Sequence, residues 1–271
     1  MLATNDTLRL HYESTGTGPA VLLIMGLGLP GAAWWRTVPT LAQAFRVFTF
    51  DNRGSGRSDC PPAGYSIADM AADAVAVLDA AGVEHAHVYG TSMGGMIAQE
   101  LVLQRPDRVR SLVLSATTPG GSAATPPDAD TIAFLRRRPT MPPEEARWAS
   151  VPYVYSDRTR REGGARIGED LARRRSFLFN ADGYRAQLGA AMAHDTGARL
   201  RDITAPTLIV HGIEDRMVPV ENGRALATAI PGAELHPLDD AAHLYTTDEP
   251  TADEYVLSFL GARDRDVLGP V

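Results

Sequence analysis

The sequence predicts an α/β protein: a mostly parallel central sheet with helices on both faces and a helical cap inserted between two strands. Three observations carry this. Short apolar runs alternate with helical patterns, which implies βαβ units and a sheet covered on both sides. The alternation breaks off near Thr118 and resumes after Leu200. The charge balance changes sign across that break: residues 118–200 hold 13 arginines against 10 carboxylates, and the rest of the chain 13 against 23. The core is therefore expected over 1–117 and 201–271, and the cap or lid over 118–200.

Each element has its own signal. "TLRLHYEST" and "AVLLIMG" read as strands, with the turn-forming "GTGP" between them. "WWRTVPTLAQAF" reads as a helix and "RVFTFD" as a strand. "SIADMAADAVAVLDAAG" places apolar residues at helical spacing between a Ser66 N-cap and Gly82. "HAHVYG" reads as a strand, "SMGGMIAQELVLQRP" as a helix stopped by Pro106, and "VRSLVLSA" as the next strand. The interruption opens on the Pro/Gly/Ser-rich "TTPGGSAATPPDAD", followed by helical patterns. The alternation then closes with "PTLIVHG", the helix "VENGRALATAI", the strand "AELHPL" and the helix "TADEYVLSFLGA".

Composition narrows the chemistry. A chain of 271 residues with 44% hydrophobic content can bury roughly three quarters of the surface its unfolded state exposes. A net charge of −7 argues against a nucleic-acid partner, since phosphate binding needs a basic surface. Cys60 is the single cysteine, which leaves no internal disulfide and no cysteine-clustered metal site. All 26 basic residues are arginine, so a lysine Schiff base is ruled out. The longest apolar runs are glycine-broken and too short to span a bilayer, and no signal segment is visible. A cytoplasmic protein with no cofactor, no metal and no membrane partner is expected. No internal repeat is apparent, and the oligomeric state is left open.

One stretch carries the chemistry. "HVYGTSMGG" sets Ser92 between glycines two residues to either side, where a strand becomes a helix. A bare G-x-S-x-G is a weak signal and can be a mere turn. In the strand–turn–helix context it presents a serine hydroxyl at the strand's end. The N–H of Met93 then opens a helix, where donors are unpaired and the dipole favours negative charge, so it can serve an oxyanion. A serine nucleophile needs a base, and the base an orienting acid, in the chain order Ser, Asp or Glu, His. Asp215 follows the strand "PTLIVHG", with Glu214, Asp239 and Asp240 as rivals. Among seven histidines, His243 alone has the loop position and order of a base. His11, His85, His87 and His236 fall at or within strands, and His211 ends one as a packing or hydrogen-bonding residue. His194 closes the inserted segment and is a candidate to face a pocket, as are the cap aromatics Trp148 and Tyr184. The cap arginines are candidates to bind a substrate carboxylate, but the runs 136–138 and 173–175 read more readily as a solvated helix face.

These landmarks resemble the α/β-hydrolase fold family. "LLIMGLG", "WRTVPTLAQAFRVFTFDNRGSGRSD", "VYGTSMGGMIAQELVLQRPDRVRSLVL", "APTLIVHGIEDRMVPV" and "DDAAHLY" follow in the family's order over almost the whole chain, the cap apart. Within the family the chain is most similar to bacterial esterases and lactonases, including enol-lactonases and polyketide methyl esterases. The resemblance implies Ser92 as nucleophile, Asp215 as acid and His243 as base. It implies the Leu27 and Met93 amides as oxyanion donors, and Trp34 as an aromatic near the pocket entrance. Many members carry His-Gly where this chain has Met25-Gly26, which makes the pocket floor more apolar. The expected function is hydrolysis of an ester or lactone of a small, apolar or aromatic substrate through an acyl-enzyme. Alternatives on the same fold are a C–C bond hydrolase, a cofactor-free perhydrolase, a non-hydrolytic cyclase, or a ligand-binding member without turnover.

Overall fold

The computed structural model describes residues 1–268, and side chains as far as Asp264. Eight strands form one sheet: Leu2–Asn5 (β1), Leu8–Thr15 (β2), Ala20–Ile24 (β3), Arg46–Phe50 (β4), Ala86–Thr91 (β5), Val109–Ser115 (β6), Thr207–Gly212 (β7) and Glu234–Leu238 (β8). Their order is β1-β2-β4-β3-β5-β6-β7-β8. β1 and β2 pair antiparallel, as do β2 and β4, and from β4 through β8 every pairing is parallel. The parallel strands read as unbroken apolar runs because both faces are covered. In β3, Leu22 and Ile24 pack on one side with Met70, Ile97 and Leu226, while Val21 and Leu23 pack on the other with Phe45, Val256 and Leu260.

The helices are Thr37–Leu41 (α1), Ile67–Ala80 (α2), Met93–Gln104 (α3), Ala129–Arg137 (α4), Pro143–Ala149 (α5), Val151–Val154 (α6), Asp157–Glu162 (α7), Gly164–Arg174 (α8), Ala181–Met192 (α9), Glu221–Ala229 (α10), Tyr245–Asp248 (α11) and Ala252–Leu268 (α12). α4 to α9 stand between β6 and β7. They carry a small apolar cluster of Val154, Tyr155, Ile167 and Leu171, packed against Met217 and Leu244 of the core. α2 starts on a full capping box: the Ser66 hydroxyl accepts from Asp69 N–H, and the Asp69 carboxylate accepts from Ser66 N–H at 2.7 Å. No helix among the described residues is long and apolar enough to cross a membrane.

Two elements depart from expectation. "WWRTVPTLAQAF" does not form one helix: a 3₁₀ turn at Gly31–Trp34 precedes α1, which is only five residues long. Pro39 lies in the first turn of α1, the one place where its missing N–H costs nothing. A helix begun at Trp34 would put that proline in its interior. β1 was not expected, because "LATN" has no apolar run. It exists by pairing Leu2 with His11 through Asn5 with Leu8 across a tight turn, in which Asp6 takes φ 51°.

Candidate active site

Ser92 stands at the junction of β5 and α3 with φ 55° and ψ −124°, a conformation costly for any residue with a Cβ. The neighbours enforce it. Its N–H donates to Ser115 O at 2.9 Å, and Thr117 Oγ1 donates to Ser92 O at 2.6 Å. A Cβ at Gly90 would run into the Gly94 carbonyl, and one at Gly94 into the Ile24 carbonyl. Only glycine lets the strand, the turn and the start of α3 approach this closely. The Ser92 side chain does not cap α3. Gly26, just after β3, lies against it, where an added Cβ would sit 3.0 Å from Ser92 Cβ. The loop holding Leu27 is thus brought beside Ser92, and Met93 is the first residue of α3.

Asp215 and His243 meet from the loops after β7 and β8. His243 Nδ1 lies 2.8 Å from Asp215 Oδ2. Asp215 Oδ1 accepts from the N–H groups of Met217 and Val218, both at 2.9 Å. Burial alone would raise the Asp215 pKa. The charge of His243 and the hydrogen bonds of His211 and His243 outweigh it and hold the carboxyl at about 2. An ionised carboxylate only accepts, so His243 Nδ1 is the donor to Asp215 and Nε2 is the ring nitrogen turned away from it. His211 is fully buried and donates from Nε2 to Val218 O at 2.8 Å, with Asp215 Oδ2 3.5 Å away. The rival acids are occupied elsewhere or solvated. Glu214 accepts from Asp157 N–H at 2.6 Å, Asp240 pairs with Arg158 at 3.0 Å, and Asp239 is exposed.

The remaining candidates divide. Trp34 is buried, packs on Tyr89 at 4.8 Å between ring centroids, and lines a cavity of about 60 Å³ together with Met25, Thr91, Arg174, His243 and Tyr245. Tyr184 on α9 is fully buried and covers the loop after β3, so that a Cβ at Gly28 would lie 2.6 Å from its ring. Trp148 is not brought to this cavity; it is 59% exposed on α5, whose buried residue is Ala146. His194 is buried away from the cavity lining, its Nε2 3.4 Å from Thr196 Oγ1 and its backbone carbonyl accepting from Gly121 N–H. Arg174 lines the same cavity, although its run reads more readily as a solvated face than as a carboxylate-binding group. The missed signal is its spacing: Ile167, Asp170 and Leu171 are the buried face of α8, and Arg174 continues that face at i, i+3, i+4, i+7.

A parallel sheet that presents a serine on a strained strand–helix turn, near a buried Asp–His pair on later strand ends, defines a hydrolase architecture. The chain belongs to the alpha/beta hydrolase fold family, whose sequence model matches residues 19–250. It is 35% identical over 258 residues to the "Putative carbamate hydrolase RutD" of Variovorax paradoxus, covering 93% of this chain and 96% of that one. It is 33% identical over 277 residues to the 2-hydroxy-6-oxononadienedioate/2-hydroxy-6-oxononatrienedioate hydrolase of Paraburkholderia phymatum, covering 96% and 94%. Among solved structures it superposes on the enol-lactonase of Burkholderia xenovorans LB400 with a TM-score of 0.84, at 26% identity, over 96% of this chain and 100% of that one. Family and relatives agree on a hydrolase.

Proposed function

We propose that the chain is a serine hydrolase that opens an ester or lactone through Ser92, His243 and Asp215. The 2.8 Å Asp215–His243 pair carries the reading, because a buried ionised carboxylate on Nδ1 leaves Nε2 free to take a proton. His243 removes the Ser92 proton as Oγ attacks the acyl carbon, and the Leu27 and Met93 amides stabilise the oxyanion. Such donors are worth roughly 3–4 kcal/mol each in enzymes of this kind. His243 then protonates the leaving group, and water, activated the same way, releases the acyl group. α4 to α9 act as the cap that shapes the acyl site. A C–C bond hydrolase is the second reading, favoured by the Paraburkholderia relative and its oxo-dienedioate substrate.

The test is a panel of esters and lactones assayed with Ser92→Ala and Asp215→Asn. Ser92→Ala is expected to lose more than ~10³-fold in kcat, and Asp215→Asn roughly 10³–10⁴-fold because the amide favours the wrong imidazole tautomer. Parent-like turnover by pure Ser92→Ala would sink the assignment. Turnover confined to vinylogous diketones would move it to the second reading.

A further inference from the structure

Arg174 carries a charge that the fold leaves unanswered. It sits on the buried face of α8 and lines the cavity it shares with His243, Thr91, Met25 and Trp34. Among the described residues its guanidinium makes no hydrogen bond, ion pair or ring contact. The nearest candidate counter-ion, Asp170 one turn earlier, is engaged on both oxygens. Oδ1 accepts from Arg36 Nε at 3.0 Å, and Oδ2 from Tyr155 OH at 3.0 Å and Thr247 Oγ1 at 2.6 Å.

Charges of both signs lie nearby. Burial, the largest cause, lowers the Arg174 pKa; Tyr155 and Asp170 pull it upward, and the positive charges of Arg138 and Arg147 push it down. Arg138 belongs to a different cap segment. It lies over the Tyr184 ring at 4.8 Å, and a Cβ at Gly28 would be 3.5 Å from its Nη1. Two guanidiniums from separate parts of the insertion thus approach the site, one beside the His243 loop and one beside the Gly28 loop; the carboxylate that lines the cavity, Asp170, is taken by Arg36. A partly desolvated cation among like charges is unfavourable unless an anion completes it.

We propose that Arg174 receives a carboxylate carried by the substrate, so that the preferred substrate is a short apolar chain bearing both the scissile ester or lactone and a free acid. This rests on the hydrolase reading above and sharpens its substrate class. Guanidinium and carboxylate match in a planar, two-point geometry that no neutral group reproduces. The cavity of about 60 Å³ is far smaller than the ~300–1,000 Å³ of a site for drug-sized ligands. Its lining is mixed: Met25, Leu29, Ala33 and Phe177 supply apolar wall, while Arg36, Asp170 and several threonines stand beside Arg174. A short methylene chain ending in a carboxylate suits the apolar part of this lining: Arg36 is already held by Asp170 and Glu169, which leaves Arg174 to receive the acid. Arg138 on the far side of the Gly28 loop adds to the field that draws the anion in.

The experiment compares monomethyl adipate with the neutral methyl hexanoate, followed by acid release, and measures adipate binding separately through the fluorescence of Trp34 and Trp35, which line the cavity. The protein is expected to favour the monoester. In Arg174→Met the ratio of kcat/KM values, monoester over neutral ester, falls roughly 10- to 100-fold, as when a charge-assisted hydrogen bond is lost. Arg174→Lys keeps part of the preference, and adipate binds at least tenfold more weakly to Arg174→Met than to the parent. An unmoved ratio in folded Arg174→Met, or equal use of the two esters by the parent, overturns the proposal. Should Arg174→Met not fold, adipate binding and ester preference in the parent and in Arg174→Lys decide. Adipate binding through Arg174 without turnover of any ester would overturn the hydrolase reading alone. Turnover without anion preference would overturn the carboxylate site alone.

Discussion

Asp215 and His194 show how the same burial acts in opposite senses on two side chains. Asp215 is ionised because the charge of His243 and donated hydrogen bonds overcome its desolvation, holding its pKa at about 2. Its folded pKa lies below the unfolded value near 4, so its contribution to stability is present above that value and is lost as pH falls through about 2. His194 has no such compensation. Burial, its largest cause, lowers its pKa to about 4, with Glu100 pulling upward and Arg199 downward. The folded state keeps it neutral while an unfolded chain would protonate it near pH 6.5. Protons are therefore taken up on unfolding between about pH 6.5 and 4, and stability falls as pH drops through that window, by up to ~3 kcal/mol. His194→Gln is expected to flatten the decline in Tm between pH 7.5 and 4.5. Parallel Tm curves for parent and variant would show that the acid sensitivity lies elsewhere. The sequence placed His194 at the end of the insertion but could not show which way the ring turns. It packs toward Gly120 and Thr196 and not toward Ser92.

The junction of β5, the Ser92 turn and α3 was legible because its signals are local. An apolar run stops, glycines crowd a turn, and a helical pattern begins within a dozen residues. The glycines are not interchangeable with others in the chain. At Gly94 a Cβ meets the Ile24 backbone, which cannot retreat without breaking β3, whereas at Gly168, inside α8, it meets open space. Gly94→Ala is expected to destabilise by at least ~2 kcal/mol, within the usual range for overpacking. Gly168→Ala is expected to stabilise by ~0.5–1 kcal/mol through helix propensity. Denaturant melts of both variants check this, and a tolerated Gly94→Ala would mean that β3 and α3 are less tightly joined than the contact implies. α1 and β1 were harder to read. The first depends on where a helix can start so that Pro39 falls in its first turn. The second exists only by virtue of its partner strand.

At the scale of the molecule, a mostly parallel sheet with three loops leaving strand carboxyl ends followed from the alternation, while the order of the strands was not read from the sequence. What did not follow was how the insertion seats on the core, since that depends on contacts between residues far apart in sequence. Arg174 was misread for this reason, and so was Trp148, whose exposure on α5 no local pattern announces. The seat itself is polar and centres on one carboxylate. Asp170 of α8 gathers Arg36 from the segment before α1, Tyr155 from the insertion, and Thr247 from α11, four residues beyond His243. Two further contacts cross the same seam: Leu244 N–H donates to Val154 O at 2.8 Å, and Asp248 accepts from Ser156 N–H; Asp248 also accepts from Ala242 N–H within the loop itself. The loop that carries His243 is thus fastened to the insertion just after the histidine, and before it Asp240 pairs with Arg158 of the insertion. Asp170→Asn removes the counter-charge of Arg36 and turns an amide N–H₂ toward donors on at least one side. Breaking one partner of a buried pair costs about 3–5 kcal/mol, and the part of Arg36 that reaches solvent and its second partner Glu169 place the expected loss toward the lower end. The variant should melt earlier, and its kcat on a good ester should fall, because the loop that carries His243 loses part of its anchorage. A variant that melts earlier but keeps the parent kcat would show that Asp215 alone holds His243 in place, and that the insertion contributes only its cavity walls.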